Sequence, residues 1–364
     1  NRDSRPPVIR KHTFLEELSR DLGRTLLDLL ASPNIASKEW VFRQYDHEVG
    51  IRTVAKPGAA DAAALKLPNG KLAAIKADGN SRICDLDPYV GAGSVLAECC
   101  RNVVAVGAEP VAWLDHCQFG DPNSEEVFWA FSMSVKGMAD FAKALSLPCV
   151  GGKVSFYNED AGTGMPIKSS PVVTVLGLVE NPEHVTTMGF KAQGDAIIAV
   201  GRTKAELGGS EYYNLLGFTG VTPPLLDFEL EKATQSAVLE CIRNGLVTAC
   251  HDCSRGGLAV ALAEMAIGGS LGGSVDLRAA PMDRLRYDQL LFSESNSRFI
   301  LTTRKPDAAL KILNEKGVPS ALVGEVGGES LKVTLLHSEL ECSLELMRTA
   351  YRTSLQRILE PWQK

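Results

Sequence analysis

LAAIKADGNSRICDLDPYVGAGSVLAECCRNVVAVG, residues 72–107, decides how this chain is read. Leu72 to Ala77 is a short apolar run and predicts a strand. Lys76 to Arg82 reads as a polar loop at the strand's end, a place where ligands commonly bind. Asp87 to Gly93 opens a helix predicted over 91–107, with Val95, Cys99 and Val103 in register. Strand, polar loop and helix in succession indicate a mixed α+β or α/β unit.

Working outward, the same grammar continues. Val111–Leu114, Pro148–Val154 and Val172–Leu178 read as strands, and Glu125–Leu145 as a helix. Residues 37–186 therefore form a first α/β domain. Asn181-Pro182-Glu183 interrupts the pattern, and Gly194-Asp195 opens a new one. Residues 187–337 form a second domain, with strands at Asp195–Val200, Val247–His251 and Arg298–Thr302. Its helices are Glu229–Asn244, Gly257–Ile267 and Asp307–Lys316, and two short strands follow. Residues 1–36 read as a polar linker and an amphipathic helix with Leu15, Leu18, Leu22, Leu26 and Leu29 in register, ended by Pro33-Asn34. Residues 338–364 read as a C-terminal helix with Leu340, Leu344, Met347 and Tyr351 on one side.

Composition narrows the function classes. Of 364 residues, 45% are hydrophobic and 23% charged, enough apolar material for a core in each domain. The net charge of -6 gives no general attraction to a nucleic-acid backbone. No apolar run approaches the ~20 residues of a membrane span, and no signal peptide is present. Cys250 and Cys253 make one CxxC, without the partner ligands of a zinc site. The nine cysteines read as reduced thiols of a cytoplasmic protein.

Several segments could carry chemistry. The glycines of 87–93 suit an anion at a helix start, although close packing is the commoner reason for such glycines. Asp115, placed just after a strand, can hold a nucleotide amine or a metal, or cap a turn. In Gly151-Gly152-Lys153-Val154-Ser155, two glycines allow close backbone approach, Lys153 can neutralise a phosphate and Ser155 can donate to it. A tight turn with a solvated lysine explains the same residues. Ser254 could cap the helix that begins near Gly257. ELGGSEY (206–212) and Phe292-Ser293-Glu294-Ser295 are further Gly/Ser/Glu loops.

Taken jointly, the motifs are recognisable. PNIASKEWVFRQYDHEV (33–49), ADGNSR (77–82), LDPYVGAG (86–93), RNVVAVGAEP (101–110), LDHCQFGDP (114–122) and VGGKVSFYNE (150–159) occur in this order. ELGGSEY (206–212), HDCSRGGLAVALAEMA (251–266) and LFSESNSR (291–298) follow. Together they resemble the C-terminal half of phosphoribosylformylglycinamidine synthase, smaller-subunit type. The resemblance spans roughly residues 33–330.

That resemblance implies an AIR-synthase-like (PurM-like) N-terminal-type domain followed by an AIR-synthase C-terminal-type domain. It implies a ligase of purine biosynthesis that uses ATP and Mg²⁺. The family phosphorylates a carbonyl oxygen of formylglycinamide ribonucleotide and lets ammonia displace the phosphate, leaving an amidine. The implied partners are the N-terminal half of the synthase, a glutaminase subunit and a small accessory subunit, with a homodimer expected of the isolated half. Carried over by position, Asp115 and Gly152 match ATP-binding residues and Ser155 a substrate-phosphate contact. Lys153 matches a magnesium position where Asn is common, and an ammonium cannot ligate a metal. Gln118 and Asp121 also depart from the usual pattern, and Arg255 stands where Glu is common. No catalytic residue is expected in this chain, because ADGNSR stands where the first half has a His-rich ESHNHPS-type segment. Two other readings are a non-catalytic scaffold half with a structural nucleotide site, and a small-molecule kinase of the same superfamily.

Overall fold

A computed structural model describes residues 21–360. The predicted linker at 1–12 and the first turns of the predicted helix lie outside the described residues. Helix α1 (Leu22–Leu30) begins at Asp21, whose carboxylate accepts from the Arg24 amide at 2.8 Å. A short helix α2 (Glu39–Phe42) follows.

The first sheet contains β1 (Thr53–Ala55), β2 (Ala63–Lys66), β3 (Leu72–Gly79), β4 (Ala108–Gln118), β5 (Cys149–Ser155) and β6 (Ser170–Val179). Their order is β1-β2-β3-β6-β4-β5, antiparallel except for the parallel β4–β5 pair at one edge. Helices α3 (Ser81–Leu86), α4 (Pro88–Ala105) and α5 (Glu125–Ala144) belong to this unit, and α4 covers the inner face through Val95, Cys99 and Val103. The predicted loop at 76–82 is not a loop. β3 runs on to Gly79, paired through Asp78–Val173 and Gly79–Val172, and Asn80 then caps α3. Likewise β4 is longer than predicted, so Asp115 lies within it.

The second unit contains α6 (Glu211–Leu215), α7 (Phe228–Arg243), α8 (Gly257–Gly269), α9 (Tyr287–Phe292), α10 (Pro306–Glu315) and α11 (Leu344–Leu359). Its strands are β7 (Ala196–Val200), β8 (Ala249–Asp252), β9 (Gly273–Asp276), β10 (Phe299–Thr303), β11 (Ser320–Val326), β12 (Ser330–Thr334) and β13 (Glu339–Ser343). They form a second sheet in the order β13-β12-β9-β11-β7-β10-β8. The predicted C-terminal helix begins only at Leu344. Residues 339–343 alternate, with Leu340 and Cys342 buried and Glu339 and Glu341 exposed, a period of two that pairs with β12.

The first helix belongs to the second unit, although the whole first sheet separates them in sequence. Leu26, Leu29 and Leu30 are buried with Leu258, Leu262, Leu340, Leu344 and Met347. No described helix is long and apolar enough to cross a membrane.

Candidate functional site

Alternation along β3 sends its side chains to two places. Leu72, Ala74, Lys76 and Asp78 share the helix-covered face, while Ile75 and Ala77 share the open face. The run Lys76-Ala77-Asp78 thus supplies two charged groups to the interior. There they meet α4 of the first unit and the β8–α8 junction of the second.

A cavity of about 220 Å³ lies at this meeting, lined among others by Asp61, Lys76, Asp78, Glu98, Asn102, His251, Asp252, Ser254, Arg255 and Glu264. Burial and the carboxylates of Asp78 and Asp252 hold Glu98 well above the usual carboxylate range. Burial, together with Asp61, raises Asp252 to about 6. Burial works against the Lys76 ammonium, but Asp78 and Asp252 outweigh it and raise its pKa. Behind the cavity, Arg101 Nε lies 3.6 Å from Asp252 Oδ2, and the same guanidinium donates to Glu231 of α7.

The donors divide into two groups. His251 Nδ1 lies 2.7 Å from Asp61 Oδ1 and its Nε2 lies 3.0 Å from Glu264 Oε2. Asp61 Oδ2 accepts the Asp252 amide. Burial opposes the imidazolium, yet Asp61 and Glu264 raise the His251 pKa well above its ordinary value. Asp61, His251 and Asp252 bring ligand atoms within 4.8 Å of one another. A histidine with both nitrogens engaged and its charged form favoured is a poor ligand, so Asp61 and His251 form an ion-pair brace. The second group is different. Asp78 Oδ2 and Asp252 Oδ2 are buried without a hydrogen-bond partner. Glu98 and Asn102 line the same cavity, as do Lys76 and Arg255. Asp78 and Asp252 are thus balanced by Lys76, Arg101 and Arg255, and with Glu98 they do not gather three ligand atoms, among the described residues, as a metal ion needs.

The glycine-rich helix starts are occupied from within. Asp87 accepts from the Tyr89 and Val90 amides and caps α4. A Cβ at Gly91 would lie 2.6 Å from the Cys84 backbone nitrogen, so Gly91 serves α3–α4 packing. The cap expected from Ser254 is instead Gly256, in a left-handed conformation. Its amide donates to Glu294 Oε1, which also accepts the Glu211 amide, both at 2.8 Å. Three segments quoted from the sequence, 206–212, 251–266 and 291–298, thus converge on one carboxylate. Glu211 in turn gathers Arg82, Asn34 and Ser32.

The predicted site residues lie elsewhere, on the β4–β5 edge. Asp115 is paired with Gly152, His116 with Lys153 and Gln118 with Ser155. A Cβ on residue 152 would lie 2.1 Å from Asp115 Oδ1, so the glycine leaves room for that carboxylate where it stands. Lys153 and Ser155 share one face, the open one that also carries Leu114 and His116. Asp115 and Gly152 share the opposite face with buried Cys117. The structure brings Asp115 to Gly152 and Lys153 near Ser155, and it separates the two pairs by the thickness of the sheet. Ser155 Oγ makes only long contacts with Asn158, at 3.3 and 3.4 Å.

The interior cavity joins residues that the sequence presented singly. Glu98, Arg101 and Asn102 were read only as part of an apolar helix. Their signal was a Glu, an Arg and an Asn inside VLAECCRNVV, where a buried helix has no solvent for them.

Comparison with known proteins agrees with this architecture. Residues 59–179 match the N-terminal domain of AIR synthase related proteins, and 192–335 match the C-terminal domain. The chain is 45% identical, over 97% of its length, to phosphoribosylformylglycinamidine synthase subunit PurL of Moorella thermoacetica. It is 43% identical, over 94% of its length, to the same subunit of Methanocaldococcus jannaschii. It covers 49% and 48% of those proteins, and so spans about half the length of the curated relatives it matches. Among solved structures, T. maritima PurL complexed with FGAR shares the fold, with a TM-score of 0.75 at 22% identity. That match covers 90% of this chain and 53% of the other. A thiamine-monophosphate kinase from Stenotrophomonas maltophilia matches with a TM-score of 0.56 at 18% identity, over 78% of this chain and 92% of the kinase. This chain belongs to the AIR synthase related proteins, as a homologue of the PurL subunit of phosphoribosylformylglycinamidine synthase.

Proposed function

We propose that this chain is the C-terminal half of a phosphoribosylformylglycinamidine synthase. In this reading it takes part in ATP-dependent conversion of formylglycinamide ribonucleotide and ammonia to the amidine. The observation that carries the reading is the open face of the first sheet. Leu65, Ile75, Leu114, Leu176 and Leu178 lie exposed on it, between 36% and 41% accessible. His116, Lys153 and Ser155 lie on the same face at its edge. An apolar stripe bordered by anion-binding groups suits a site completed by a second sheet. The N-terminal half of the synthase is the partner of matching chemistry. A second copy of this chain is the occupant when the half is isolated.

Each residue then has a task. Ser155 donates to the substrate phosphate, and Lys153 supplies charge beside it without ligating a metal. Asp115 accepts from the nucleotide, and bare Gly152 admits it. The carboxylates of the interior cavity are balanced from within by Lys76, His251 and Arg255, so the Mg²⁺ of this reading would come with the phosphates of ATP. Ammonia comes from a glutaminase subunit, joined by a small accessory subunit. The PurLQS structure from T. maritima shares this fold. The cytoplasm is the compartment this chemistry and the free thiols suit.

The test is an assay of amidine formation with ribonucleotide, ATP and ammonia. The isolated chain should be inactive, and adding the N-terminal half should restore turnover. Robust turnover by the purified chain alone would overturn the half-enzyme reading.

A further inference from the structure

The open face of the first sheet changes character along its strands. One end carries the leucines and Ile75. Beyond Leu114 and Leu176 it turns polar. There His116 and Gln118 of β4 lie beside β5, in the pairs His116–Lys153 and Gln118–Ser155. On the other side of β4 the same two residues meet Val172 and Ser170 of β6, and β3 adds Ala77 and Gly79. Neighbouring strands lie about 4.8 Å apart, and alternate residues of one strand about 6.6 Å. The side chains of His116, Gln118, Lys153 and Ser155 therefore frame a patch that one phosphate group can span.

The patch is built of donors. No strand position of β3, β4, β5 or β6 on this end of the face is Asp or Glu, and Asp115 belongs to the opposite face. His116 and Gln118 are half-buried, yet with Lys153 their side chains have no hydrogen-bond or ion-pair partner among the described residues. Asn158 spends its amide on the Phe119 and Ser155 carbonyls, at 3.0 and 2.9 Å, which leaves the Ser155 hydroxyl only long contacts. An imidazole, a carboxamide, an ammonium and a hydroxyl can each donate to a phosphate oxygen. Polar groups that the fold half-buries and leaves unpaired favour an incoming acceptor.

We propose that His116 and Gln118 are further substrate-binding residues, which with Lys153 and Ser155 hold the phosphate of the ribonucleotide. The inference rests on the reading of Ser155 as a phosphate contact, and it extends that site from β5 to β4. Lys153 supplies charge, while the hydroxyl, imidazole and carboxamide fix direction. Docking of a second sheet on the apolar end would cover the patch and strip it of water, so that each donor counts for more. Asp115 and Gly152 face the other way, so alternate residues of the same two strands serve the two ligands.

The test is steady-state kinetics of the enzyme reconstituted with the N-terminal half, with KM measured for ribonucleotide and for ATP. His116→Ala and Gln118→Ala should each raise the ribonucleotide KM about tenfold and leave kcat and the ATP KM near the parent. Gln118→Glu keeps the size of the side chain, and hence the fold, but sets a carboxylate against the phosphate. Its ribonucleotide KM should rise about tenfold beyond that of Gln118→Ala. An equal rise in the ATP KM would mark a structural role and overturn the proposal. Equal KM values for Gln118→Glu and Gln118→Ala would place an uncharged part of the substrate there and overturn the phosphate assignment. An unchanged ribonucleotide KM in the histidine and glutamine variants, with Ser155→Ala still raising it, would confine the site to β5. If Ser155→Ala has no effect either, the reading of the phosphate site falls together with the proposal.

Discussion

Arg101 Nη1 donates to both carboxylate oxygens of Glu231, at 3.0 Å each, from a helix of the first unit to a helix of the second. Both side chains are almost wholly buried. Glu231 is further held by Gln235 and by Ser297. Breaking a buried pair from one side strands the other charge. Glu231→Gln should therefore destabilise the chain by about 3–5 kcal/mol in urea unfolding. Replacing both partners, Arg101→Met with Glu231→Leu, should recover part of that loss. A Glu231→Gln variant within about 0.5 kcal/mol of the parent would show that the pair does not hold the units together.

Glu294 gives the chain a pH dependence of unusual sign for a carboxylate. Burial raises its carboxyl from 4.5 to about 7, against the two backbone amides and Arg255 that favour ionisation. The folded chain thus holds this proton more tightly than the unfolded one. The group's stabilising share is complete below about pH 4.5 and is lost as pH rises through about 7, on the order of 3 kcal/mol in all. In Glu294→Gln, an amide oxygen still accepts both backbone amides, so that loss should vanish. Urea unfolding of both proteins at several pH values between about 5 and 8 measures the difference. Parallel curves would show that Glu294 does not titrate in this window.

Gly152→Ala tests the nucleotide edge. The added methyl cannot coexist with the Asp115 carboxylate where it stands. Because β5 is an exposed edge strand, the carboxylate can turn away and the fold should survive. The expected result is a melting temperature close to the parent, with nucleotide affinity lowered about tenfold or more in the reconstituted enzyme. Calorimetric titration with ATP decides it, and undiminished affinity would take Asp115 out of the nucleotide site.

Ser155→Ala removes one hydrogen bond to a charged group, on the order of 1.5–3 kcal/mol. That is roughly a tenfold to hundredfold loss of ribonucleotide affinity in the reconstituted enzyme. The native contacts of Ser155 Oγ are long, so the fold should lose little. Lys153→Asn should leave binding measurable. Equal affinity of Ser155→Ala and parent would return this segment to a structural role.

Ile75→Lys places a charge in the centre of the open face, opposite Leu176 and Ala63. Sedimentation should show loss of self-association and loss of binding to the N-terminal half. The monomer's stability should hold, because Ile75 is 41% accessible. A variant that still associates would place the contact elsewhere.

Much of the fold was legible because apolar periodicity was strong in α4, α5, α7 and α8. The strands were read short where polar residues complete them. Asp78 and Gly79 look like loop residues, yet they pair with Val173 and Val172. β13 was absorbed into a helix because Leu340, Leu344 and Met347 also fit a helical spacing, and only pairing with β12 separates the two periods. For the site, the 77–82 and 251–257 segments were visible as separate polar loops. Their meeting was not, since Gly79 and Arg255 lie 176 positions apart. The Glu98–Arg101–Asn102 set was hidden for a different reason: its neighbours on α4 are apolar, and burial disguises charge as core.

The place of α1 in the second unit has a consequence for synthesis. Leu26, Leu29 and Leu30 are among the earlier described residues to leave the ribosome, and their partners in α11 are among the last. At about 5–20 residues per second, that helix waits roughly a quarter of a minute to a minute for them. Until α8 emerges its leucines stand in water beside a growing chain, as a natural substrate for chaperones. A nascent chain stalled before Leu344 would carry a finished first sheet and an apolar helix covered by α8 but not by α11.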